Sequence, residues 1–134
     1  MVGRVIDSKI LPSQDGFDLR AHTEYDSDSS PLDSDCYTPK QVSAFNQGDW
    51  TYVGIIVTAS RAGIDLGSAS IWSIEAGMYV MTDENDNVVS EKWIDPLDAS
   101  DEDSALAYYG PSLIAEAIAE AQKNIAAINA SETV

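Results

Sequence analysis

Base is what this chain has least of. Seven Lys plus Arg stand against 23 Asp plus Glu, giving a formal charge of −16 with its one His neutral. Such a surface repels phosphate backbones and anionic lipid, which argues against direct binding to nucleic acid or to a membrane. Cysteine is nearly absent as well. Cys36 alone permits no internal disulfide, as suits a reducing cytoplasm, and cytoplasmic localisation in a host cell is the expectation. Long apolar runs are missing too. The longest, Val53 to Val57 with Gly54 inside it, falls far short of the ~20 residues of a membrane helix. The stretch Met1 to Asp7 has neither the apolar region nor the small-residue site of a secretory leader.

The same scarcities narrow the chemistry. A structural zinc site needs about four Cys or His ligands, and His22 and Cys36 are the whole supply. A nucleophilic Cys–His pair would need these two to meet and be activated, which nothing nearby demands. Gly63, Gly67 and Ser68 match neither phosphate-binding glycine spacing. Acids are too abundant for any one pair of carboxylates to mark a glycosidase. A calcium loop begun at Asp83 finds Asn85 and Asn87, then Val88 and Ile94 where glycine and a bidentate Glu belong; one begun at Asp26 ends on Tyr37. The expectation is a protein without catalysis, cofactor or metal, with weak divalent-cation binding as a third reading.

What the chain does have is a core's worth of apolar residues. At 134 residues and 44% hydrophobic it suits one domain over 1–134, with an acidic loop at about 24–37 and a frayed tail at about 129–134. Gly3 to Ile10 alternates loosely as a strand, and Pro12 to Gly16 reads as a turn. Phe17, Leu19, Ala21 and Thr23 alternate with Asp18, Arg20, His22 and Glu24, a half-buried strand. Asp26 to Cys36 is loop. Thr38-Pro39 opens a short helix carrying Val42 and Phe45, which Gly48 can close. Trp50 to Ala59 is apolar on both faces, as a central strand is. A turn at Ser60–Gly63 joins it to Ile64–Ile74, with Ile64, Leu66, Trp72 and Ile74 expected on one face. Met78–Thr82 and Val88–Ile94 suggest a second hairpin about Asp83–Asn87. Gly110-Pro111 then opens a final helix whose Ile114, Ile118, Ala121, Ile125 and Ile128 form one stripe. The fold class is α+β: a mainly antiparallel sheet of four to six strands packed against a long C-terminal helix and one short helix.

The acids are clustered. Glu24, Asp26, Asp28, Asp33 and Asp35 form one group, Asp83, Glu84 and Asp86 a second, and Asp95, Asp98, Asp101, Glu102 and Asp103 a third. These spans hold no base, while the rest of the chain is nearly balanced. Solubility asks only for dispersed charge. The second and third groups are the candidate partner-binding residues, because predicted strands and a helix flank them. Trp93, Tyr108 and Tyr109 lie beside the third group; aromatics of this kind anchor interfaces, although burial is the expectation for Trp93.

The run from Asp49-Trp50 through Val57, then Gly63 to Glu75, with Leu113 to Ala117, resembles small uncharacterised acidic proteins of phages and actinobacterial mobile elements. Size and charge also resemble phage anti-defence inhibitors that mimic DNA. Neither likeness carries over a functional residue. The expected function is an inhibitor or regulator, monomeric or homodimeric, that sets its carboxylates against the basic surface of a nucleic-acid-binding protein. The alternative is a mobile-element interaction or assembly protein whose acidity serves only solubility.

Overall fold

The computed structural model describes residues 5–132. Gly3 and Arg4, which begin the first expected strand, lie outside them. Five strands follow one another as an antiparallel meander in the order β1-β2-β3-β4-β5: β1 Val5–Gln14, β2 Phe17–Tyr25, β3 Trp50–Arg61, β4 Ile64–Thr82 and β5 Val88–Ile94. Between β2 and β3 lie a single 3-10 turn at Pro31–Asp33 and the helix α1, Pro39–Asn46; the helix α2, Ala105–Glu132, closes the described chain. The fold is therefore α+β, a curled antiparallel sheet with one long and one short helix.

β3 is central because both of its faces are apolar. On one face Ile55, Val57 and Ala59 meet Phe17, Leu19 and Ala21 of β2, and α2 lays Leu106, Leu113, Ala117, Ile118 and Ala121 across them. On the other face Trp50 and Tyr52 pack with Ala44 and Phe45 of α1 and with Tyr37 and Tyr79. Alternation along one strand thus puts the two helices on opposite faces. Close approach of α2 depends on Gly67, where a Cβ would meet the backbone of Ala117 and Ala121.

The start of α1 follows its sequence: Thr38 caps the Gln41 amide, and Gln41 answers to the Thr38 amide, the reciprocal pair that proline at the first position favours. Gln41 and Ala44, with Phe45 partly buried, make the contact, more than Val42.

Six expectations need correction. The final helix begins at Ala105, not at Gly110-Pro111. Ser104 caps it through the Ala107 amide, and Pro111 sits inside on the solvent side, where the carbonyl it leaves unbonded belongs to the exposed Ala107. The helix also runs through Asn129 to Glu132, within the expected frayed tail, whose last two residues lie outside the described ones. Ile64–Ile74 and Met78–Thr82 are one 19-residue strand, β4, shared by both hairpins.

The fourth correction concerns Trp72. β4 carries an extra residue between the pairs Val53↔Ile74 and Ile55↔Ile71, with Ser73 in the left-handed conformation at φ 62°. The bulge turns Trp72 to the face opposite Ile74, where its ring lies over Gly54 with no Cβ in its way. Ile64, also expected on the buried side, is exposed. Pro12, placed in a turn, falls within β1; as an edge strand β1 tolerates it at the irregularity between Leu11 and Gln14, and the turn is Asp15-Gly16.

A candidate acidic binding cleft

β5 is short. It pairs only with Gly77–Thr82, so the edge of β4 from Ile64 to Ala76 has no strand beside it among the described residues. The chain leaving β5 folds back toward that edge as the acidic segment 95–104 before entering α2. Its anchors are apolar: Pro96 and Leu97 are buried, and the Pro96 carbonyl accepts the Leu106 amide at 2.9 Å.

Between these anchors the segment climbs in three-residue steps. The Asp95, Asp98 and Asp101 carbonyls accept the amides of Asp98, Asp101 and Ser104. Each side chain meanwhile accepts the amide two residues on: Asp95 from Leu97 at 3.0 Å, Asp98 from Ser100 at 3.0 Å, Asp101 from Asp103 at 2.9 Å. These are three consecutive Asx turns, and a short side chain is needed for each. The Ser100 hydroxyl, then its amide, hold the Asp98 carboxyl below the usual range. Glu102 and Asp103 point no carboxylate into this staircase and are exposed.

The staircase, the free edge of β4 and the first turns of α2 enclose a cleft of about 520 Å³. Acidic residues dominate its lining, Asp95, Asp101, Glu102 and Asp103 from the segment and Glu75 from the free edge of β4, and Lys92 is its one base. Tyr108 and Tyr109 form the aromatic wall, ring against ring at 4.8 Å, and Tyr108 is 77% exposed. Other bases are engaged elsewhere: Arg20 pairs with Asp65 at 3.2 Å, Arg61 stacks on Phe17, and Lys9 donates to the Leu97 carbonyl.

The structure brings together four of the eight sequence-predicted site residues, Asp95, Asp101, Glu102 and Asp103. Asp98 faces away toward Lys9. Asp83, Glu84 and Asp86 occupy the β4–β5 turn at the other end of β5, roughly 23 Å off for seven residues at ~3.3 Å each. There Asp83 organises the turn, accepting the Asn85 and Asn87 amides at 2.9 Å, and the Asn87 amide first of all lowers its pKa. The 24–35 group is likewise put to structural use: Glu24 accepts from His22, Asp33 caps the Ser30 amide, and Asp26 reaches across to Ser73.

One acidic residue of the site escapes sequence reading. Glu75 arrives from mid-strand, paired with Tyr52; it joins the cleft at the strand edge, while its carboxylate turns to the hydroxyls of Tyr37 and Tyr79 on the α1 face, and burial first, then Glu75, pushes Tyr79 up to about 12. Trp93, expected buried, is 65% exposed. It pairs with Met78 on the face that carries α2, and the helix leaves that stretch of the face uncovered.

Among the described residues no group of three or more His, Cys, Asp or Glu is placed to hold a metal ion, and no helix is long and apolar enough to cross a membrane. Neither family models, nor curated proteins, nor solved structures provide a match to this chain.

Proposed function

We propose that the protein is an acidic binding protein, an inhibitor or regulator that occupies the basic nucleic-acid-binding surface of a partner protein. The observation that carries this reading is the cleft itself, whose lining has five acidic residues and one lysine, with four of the acids on one anchored segment. Arg and Lys side chains that grip phosphates accept carboxylates in the same way, through charge-assisted hydrogen bonds. The exposed Tyr108 supplies the flat contact area of an interface hot spot. No catalytic role, cofactor or metal enters the proposal. The phage or mobile-element setting is supported by the resemblance of residues 49–57, 63–75 and 113–117.

The test is affinity capture from the native host at low and high salt, followed by titration of the identified partner. Duplex DNA should compete, and affinity should fall as salt rises, since exposed charges are screened beyond ~8 Å at physiological ionic strength. The variant Asp98→Asn, Asp101→Asn, Glu102→Gln, Asp103→Asn should bind more weakly. Equal affinity for both proteins without competition from DNA or RNA defeats the proposal.

A second reading, in which contact is apolar and acidity serves only solubility, has one observation of its own, the exposure of Trp93. A salt-insensitive complex would favour it.

A further inference from the structure

On the far side of Asp95 from the acidic cleft lies a different concavity. It has a volume of about 220 Å³, with Val53 and Ala76 as its floor and Ile6, Tyr25, Trp93 and Pro96 around it. The register explains why it is open. Val53 and Ala76 stand on the face that α2 covers further along, and the Met78–Trp93 pair extends that face past the helix. Tyr25 is 53% exposed and Trp93 65% exposed, so two large aromatic rings stand in water beside a buried valine. Adjacent aromatic exposure on this scale marks an interaction site. Among the described residues, Asp7 and Asp95 are the only Asp, Glu, Lys, Arg or His that line it, and both are acidic. The cleft and the groove meet at Ile94 and Asp95, which line both.

We infer that this groove holds one apolar side chain of a basic peptide segment, whose neighbouring Arg or Lys residues lie against Asp7, Asp95 and the acidic cleft. The inference deepens the reading of the cleft as a partner surface and rests on it for the basic character of the segment. Volume selects the anchor: the groove is smaller than the ~300–1,000 Å³ of a small-molecule site, and its apolar floor suits a side chain such as Leu. Charge selects the segment. A second copy of this chain would bring another −16 body, and another Asp7 and Asp95, against the same rim. A basic segment meets complementary charge there instead. The apolar contact also separates this surface from one that imitates phosphates alone, because a nucleic-acid backbone offers no apolar groove to receive a partner's side chain.

Two synthetic peptides of equal charge test the inference, one of Arg and Gly alone and one with a single Leu in the middle of the Arg run. The Leu peptide should bind the wild type about tenfold more tightly, the effect of burying one such side chain. The variant Tyr25→Ser/Trp93→Ser, altered only at exposed positions, should lose that advantage. In Trp72→Phe, where Trp93 is the one tryptophan left exposed, the Leu peptide alone should shift the emission to the blue. Equal affinities of the two peptides for the wild type overturn the groove, as does a Leu advantage that survives in the double variant. A concentration-dependent dimer of the wild type, abolished in that variant, overturns it in favour of a second copy.

The variant Asp101→Asn/Glu102→Gln/Asp103→Asn separates the two readings. Weaker binding of both peptides with no Leu advantage sinks the groove and leaves the cleft. A Leu advantage with undiminished affinity of both peptides for the neutralised variant leaves the groove and sinks the cleft. Failure of either peptide to bind sinks both.

Discussion

Asp26 accepts the amide hydrogen of Ser73 at 2.8 Å, joining the loop after β2 to the bulge of β4 across 47 residues. The same carboxylate accepts from the hydroxyl of Ser29, which meets the Ser73 hydroxyl at 2.6 Å. The bulge decides which way Trp72 and Ile74 face, so this carboxylate helps to fix the side-chain registry of the longest strand.

A pH dependence follows. Burial alone would raise the Asp26 pKa, but hydrogen bonds from Ser29, Ser73 and Asp28 outweigh it and hold the carboxyl below its ordinary 3.8. A lowered folded-state pKa contributes stability that is present above 3.8 and lost as pH falls through the folded value. Asp26→Asn, uncharged throughout, should melt below the wild type at neutral pH, and the gap should close on acidification below that range. Paired thermal melts across pH measure it; a gap that stays constant shows that the charge of Asp26 contributes nothing.

Gly67→Ala should destabilise the protein by about 1–3 kcal/mol, the usual cost of overpacking. The added methyl meets backbone of α2 at Ala117 and Ala121, which cannot swing aside as a side chain would. Urea unfolding is the measurement, and an unchanged midpoint would show that the helix stands further from the sheet.

The staircase separates two kinds of substitution. An Asn side chain keeps the oxygen that accepts the amide of residue i+2, whereas Ala removes it. Asp95, Asp98 and Asp101 changed together to Asn should therefore melt close to the wild type, with relief of charge repulsion offsetting weaker hydrogen bonds. Changed together to Ala they should melt lower, and amide exchange at Leu97, Ser100 and Asp103 should quicken. Identical behaviour of the two triple variants would mean that the turns do not order the segment.

Calcium should raise the melting temperature no more than magnesium does at equal millimolar concentration. Of the calcium-loop candidates, Asp83 has an oxygen committed to the amides of Asn85 and Asn87, and Val88 and Ile94 offer no side-chain oxygen. Saturable micromolar binding by calorimetry would contradict this.

Much of the fold is legible where one short stretch of chain decides the outcome. The alternation of Phe17 to Thr23, the two-faced apolar run of β3 and the Thr38-Pro39 cap are all local, and each appears in the structure. What escapes is decided from a distance. The β4 bulge depends on Asp26, remote in sequence, and the uncovered position of Trp93 depends on where α2 stops covering the sheet. Ser104 was hidden as a cap among acids, while Gly110-Pro111 offered a more conspicuous start that the helix passes through on its solvent side. The site divides in the same way. Four acids and two tyrosines are neighbours in sequence and share one cleft, but Glu75 joins them only through the topology of the sheet. The separation of Asp83–Asp86 from that cleft is set by the length of β5.

Three aspartates in the acidic segment each spend one oxygen on their own backbone and keep the other free of it. Their charge is thereby held in place before anything approaches. Freezing a mobile, rotamer-rich side chain on association costs about 0.5–1.5 kcal/mol each, a cost that these short, tethered side chains have largely met during folding. Glutamates at the same positions would carry equal charge on a longer arm that cannot close the turn. The segment is thus preorganised by aspartate in particular, and a chain of identical net charge with Glu at 95, 98 and 101 would present the same electrostatic sum as a blurred cloud of charge.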